Sequence, residues 1–184
     1  MSKLVALALT LAFIAPSAMP QAGDKLPEAY SGVAVGVGGG IGGKSTHFDF
    51  RIERYTTDEE VDRLATVLKE KGRGALQREM EKLNVGRIYP TRSTGNVIAV
   101  ARKKQVGDKT VINIFTARQM NFRELVNGGR SVDYPFGYLH VDLDKGTGQF
   151  IVAAKIRFDQ KKGQIEIESI GNQYLRAVNV RPRR

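Results

Sequence analysis

From residue 46 to residue 53 apolar and polar positions alternate: Phe48, Phe50 and Ile52 against His47, Asp49, Arg51 and Glu53. A period of two marks a half-buried strand. At Tyr55 the period changes. Thr57-Asp-Glu-Glu60 predicts a capping box, in which the threonine hydroxyl accepts from the amide three residues on and Glu60 reaches back. The acids also suit the positive end of a helix dipole. Val61, Leu64, Ala65 and Leu68 then recur at helical spacing. Gly72 and Gly74 interrupt that pattern. Ala75, Leu76, Met80 and Leu83 resume it, and Gly86 ends it. These two stretches predict a helical hairpin with one apolar side.

The rest of the chain is patterned for strands. Residues 87–90 predict a short one. Residues 97–103 and 110–117 predict a hairpin, and 137–144 with 149–159 predict a second. Single strands over 164–170 and 174–180 follow, and one helical turn is expected over 121–126. Connections this short force antiparallel pairing. The apolar sides of the helices need a partner, and the sheet is the only one on offer. The expected fold is therefore α+β: a curved antiparallel sheet of six to eight strands packed on an N-terminal helical hairpin.

Two segments precede that domain, which spans residues 46–184. Residues 1–22 have the three-part layout of a secretory signal peptide: Lys3, an apolar run over 4–15, then small residues among Pro16 and Pro20. The run is too short for a membrane-spanning helix, which needs about 20 apolar residues. Residues 23–45 are glycine-rich and read as a flexible segment, because so many glycines weaken a strand interior. Val33, Val35 and Val37 nevertheless alternate, which allows a short edge strand. These features predict a periplasmic or secreted protein with no membrane span after cleavage.

Composition narrows the chemistry. The chain has no cysteine, which excludes disulfides, thiolate metal sites and a cysteine nucleophile. The formal net charge is +10, with Arg176, Arg181, Arg183 and Arg184 close to the end. A basic exported protein can meet anionic lipid, polysaccharide or nucleic acid, although charge alone also serves solubility.

The order of elements resembles the helix-grip fold of START and plant-allergen-type lipid-binding proteins. That resemblance implies a cavity between sheet and helices. The chain departs from it in ending on a strand and Arg-Pro-Arg-Arg184 instead of a long closing helix. Residues 54–61 (Arg-Tyr-Thr-Thr-Asp-Glu-Glu-Val), 128–137 (Gly-Gly-Arg-Ser-Val-Asp-Tyr-Pro-Phe-Gly) and 153–159 (Ala-Ala-Lys-Ile-Arg-Phe-Asp) resemble a family of exported bacterial proteins of unknown function. That family implies no activity.

Four patterns carry candidate chemistry. Residues 38–45 read Gly-Gly-Gly-Ile-Gly-Gly-Lys-Ser, a literal phosphate-loop match from Gly38 to Ser45. A phosphate loop needs a helix after it, and period two follows instead, so no nucleotide is expected. His140, Asp142 and Asp144 fall on one face of a predicted strand and suit a divalent metal; a solvated strand face gives the same pattern. Glu166 and Glu168 make a similar pair, read as the wet face. The loop over 127–137 holds Arg130, Asp133, Tyr134 and Phe136. Arg130 with Asp133 could clamp a polar group over an apolar floor of Tyr134 and Phe136, or the aromatics could plug one end of the core. No catalytic residues are proposed and no cofactor is expected. The expected function is non-catalytic binding of an apolar or amphipathic ligand between sheet and helices. The alternatives are a basic interaction module for anionic envelope polymers or a protein partner and, behind it, a metal-dependent hydrolase.

Overall fold

The computed structural model describes residues 25–37, 41–91, 93–120, 122, 132–169 and 174–183. The expected signal peptide, Arg130 and nearly all of the expected helical turn at 121–126 lie outside them. Ten strands and one helix follow in the order β1 (Glu28–Val37), β2 (Ser45–Ile52), α1 (Asp58–Met80), β3 (Gly86–Pro90), β4 (Asn96–Ile98), β5 (Val100–Val106), β6 (Lys109–Thr116), β7 (Phe136–Asp142), β8 (Thr147–Asp159), β9 (Gln164–Ser169) and β10 (Tyr174–Pro182). The fold is α+β, as the patterning implies, with two corrections. The sheet has ten strands, more than the expected six to eight. The two helices of the expected hairpin are one helix with a break inside it.

α1 begins as predicted: the amide of Glu60 donates to the Thr57 hydroxyl at 3.2 Å, and the Thr57 amide donates to the Glu60 carboxylate at 3.0 Å. Gly72, at φ 76° and ψ −178°, is non-helical and breaks α1 into two arms, and Arg63 of the first arm lies 3.7 Å from Glu79 of the second. An L-side chain disfavours that conformation, and glycine adopts it freely. Leu64 and Leu68 before the kink and Leu76 and Met80 after it reach the same apolar cluster, so both arms bury one continuous stripe.

All strand pairs are antiparallel, in the order β4-β3-β2-β1-β10-β8-β7-β6-β5, with β9 on β8. β4 and β5 stand at opposite ends of this order, yet only Ala99 separates them in the chain. The Val85 amide donates to the Ile98 carbonyl at 2.9 Å, and the Ala99 amide to the Phe115 carbonyl at 2.9 Å. One bent strand thus pairs with β3 through its first half and with β6 through its second. The sheet closes on itself, which removes its two open edges.

Alternate residues of the ring fill the interior. Tyr30, Ala34, Phe48, Phe50, Ile88, Ile98, Ala101, Ile112, Ile114, Leu139, Phe150 and Leu175 belong to one buried cluster drawn from nine strands. Phe48 meets Phe150 edge-on at 4.8 Å, and Tyr30 stacks on Phe50 at 4.8 Å. Each such aromatic contributes about 1.5–3 kcal/mol on burial. At one mouth Glu28 accepts from the Tyr55 hydroxyl at 2.9 Å and lies 3.4 Å from the Lys103 ammonium.

The glycine-rich stretch read as flexible contributes β1, which is paired with β2 on one side and β10 on the other. Its glycines make room. A Cβ at Gly32 would sit 2.9 Å from Phe48 Cζ and 3.0 Å from Val180 Cγ2. Outside the ring, α1 lies against the outer face of β5–β9. There Leu64, Leu68, Val100, Phe115, Tyr138, Ile156 and Ile167 make a second buried cluster. Among the described residues neither apolar cluster covers the outer face of β1, β2, β3 and β10, where His47, Arg51, Arg87 and Tyr89 are exposed.

Candidate functional site

His140 lies on the outer face of β7, opposite Asn113 of β6. Its Nδ1 is 3.0 Å from the Asn113 amide oxygen, which also accepts from the Tyr138 hydroxyl at 2.8 Å. A carbonyl oxygen only accepts, so Nδ1 carries the proton and Nε2 keeps its lone pair. Burial lowers the His140 pKa below its ordinary value, with Asp142 opposing the shift. Burial also raises the Tyr138 pKa, so this phenol stays protonated as a donor.

The carboxylates expected beside His140 are taken up by backbone amides, Asp142 by one in the turn after β7 and Asp144 by one at the start of β6. Asp142 accepts from the Lys145 amide at 3.0 Å, and Asp144, past the end of β7, accepts from the Thr110 amide at 2.6 Å. Among the described residues no three His, Asp or Glu side chains are grouped to hold a metal ion. Glu166, expected on the wet face, is buried and accepts from Arg157 at 2.6 Å and Lys162 at 2.7 Å, which ties the β8–β9 hairpin. β2 begins at Ser45, so among the described residues a strand and not a helix follows Lys44.

The described part of the 127–137 loop is spread over different tasks. The Arg73 guanidinium of α1 donates to the Asp133 carbonyl at 2.7 Å and lies 3.4 Å from its carboxylate. The Tyr134 carbonyl accepts from the Gln119 amide at 2.8 Å, and the Lys155 ammonium lies 5.9 Å from the Tyr134 ring centre. Phe136 is fully buried in the cluster beneath α1. Between α1 and the sheet an apolar pocket of about 50 Å³ is lined by Leu64, Leu68, Leu76, Met80, Phe115 and Ile156, among others. Small-molecule sites occupy about 300–1,000 Å³.

The outer face of β1, β2, β3 and β10 carries a different constellation. Arg51 of β2 and Arg87 of β3 are direct register partners. One row along, Tyr89, Asp49, Ser31 and Arg181 follow one another across the four strands. Arg183 continues past β10: its amide donates to the Ala29 carbonyl at 2.7 Å and its guanidinium to Asp49 at 2.9 Å. The Arg51 Nε donates to Glu53 at 2.6 Å. Among the described residues Arg87 and Arg181 have no ion pair. The polar row of Asn113, His140, Gln149 and Arg176 joins this face across β6, β7, β8 and β10. Sequence reasoning noted the arginines near the C-terminus but missed Arg51 and Arg87. Alternation shows that both point outward, whereas only register shows that they meet. No known protein family, curated protein or solved structure matches the chain.

Proposed function

We propose that this protein is an exported, non-catalytic binding protein whose ligand is an anionic polymer held on the outer face of β1, β2, β3 and β10. The observation that carries this reading is the group of four arginines, Arg51, Arg87, Arg181 and Arg183, against two carboxylates, Asp49 and Glu53, on the face α1 leaves open. Like charges placed directly opposite on a sheet destabilise it. A polyanion converts that repulsion into attraction and releases its own condensed counterions as it binds. The +10 net charge adds long-range attraction. Export rests on the layout of residues 1–22 and fits the resemblance to exported bacterial proteins. The small size of the apolar pocket under α1 favours this reading over an apolar ligand held between sheet and helix.

Affinity chromatography and titration against dextran sulfate test the reading. Binding is expected at low salt, with log K falling linearly as log salt rises. For a single-stranded polyanion the slope flattens by about 0.7 for each arginine changed to alanine among Arg51, Arg87 and Arg181. Absence of binding at low salt, or affinity indifferent to salt, rules the proposal out.

A further inference from the structure

We infer that Arg51 and Arg87 form a two-guanidinium clamp for phosphoryl groups, so that the polymer this face takes is phosphate-bearing; the inference rests on the polyanion reading above. Directly opposite residues in an antiparallel pair have Cβ atoms about 4.5–5.5 Å apart, so the two guanidinium groups can reach a single group between them. The Arg51 Nε donates to Glu53, which leaves the Nη edge of the guanidinium for another acceptor. Among the described residues neither Arg51 nor Arg87 has any further hydrogen bond or ion pair. Asp49, the other nearby carboxylate, is neutralised by Arg183.

Geometry then selects the anion. A guanidinium is a planar fork that grips two oxygens along one edge. A carboxylate has one such edge and satisfies one fork. Phosphoryl oxygens are set tetrahedrally, so the oxygen edges of a terminal phosphate, or of neighbouring units along a polyphosphate chain, lie in different planes and close enough together to engage two forks at once. Two lysines at the same positions would supply equal charge without the forks.

The test compares long-chain inorganic polyphosphate with poly-glutamate at matched charge and fixed low salt. Fluorescence anisotropy is read on the intact protein and on Arg51→Lys/Arg87→Lys. The expected result is about tenfold tighter binding of polyphosphate by the native protein, the ratio that about 1.4 kcal/mol of fork geometry gives. The lysine variant should retain poly-glutamate binding and lose the preference. Equal affinities for the two polymers, or a preference that survives in the lysine variant, overturns the clamp while the polyanion reading stands. Failure to bind either polymer overturns both.

Discussion

The His140 imidazole is held against a buried amide, and its neutral form is the one that fits. Burial lowers its pKa from the ordinary 6.5. Between the lowered folded value and 6.5 the unfolded chain binds more protons than the native one, so stability rises with pH across that window. Acidification from pH 7 toward pH 5 should therefore lower the melting temperature, and His140→Gln should flatten that part of the profile. Thermal melts across this range check it; an unchanged slope in the variant would remove His140 from the account. The sequence placed His140, Asp142 and Asp144 on one face because it continued the strand too far. β7 ends at Asp142, which caps the turn that follows by accepting from the Lys145 amide, while Asp144 reaches across to the Thr110 amide of β6.

Elements were more legible than their arrangement. The capping box over 57–60 is local, and it forms as the spacing requires. Gly72 signals a break, but whether a broken helix reverses depends on what its two arms cover. Here Leu64, Leu68, Leu76 and Met80 all face one outer sheet surface, and Arg63 of the first arm pairs with Glu79 of the second at 3.7 Å, so the two arms are drawn together over that surface. The glycines of β1 illustrate the same dependence. Their entropy cost argues against a strand, and the aromatic filling of the ring argues for one. At Gly32 a methyl group would press on Phe48 and Val180. Gly32→Ala should therefore destabilise the protein by about 1–3 kcal/mol, read as a lower urea midpoint. A midpoint equal to that of the native protein would show that the ring yields at this point.

Closure belongs to the whole molecule. The strand from Asn96 to Val106 bends at Ala99 and serves both β3 and β6. Ala99→Pro removes the amide that donates to the Phe115 carbonyl at the joint, and an unsatisfied buried acceptor costs roughly 1–3 kcal/mol. Urea unfolding should show that loss with an unchanged m-value, since the same surface is exposed. A change below about 0.5 kcal/mol, the range of an indifferent surface site, would mean that the joint does not hold the ring closed. Closure also divides the exterior into a side covered by α1 and a side carrying the arginines.

What the sequence determined by itself was local. It set the face of each strand through the alternation of apolar and polar residues, the start of α1 through Thr57 and Glu60, and the absence of thiol chemistry. Tertiary structure alone decided which strands adjoin, how they slide past one another and where the sheet meets itself. The reason is that a period of two tells which way a side chain points but leaves its neighbour open, and neighbours here are chosen by packing among residues far apart in the chain. Arg51 and Arg87 became a pair only because Phe50 and Ile88 had to share the interior of the ring.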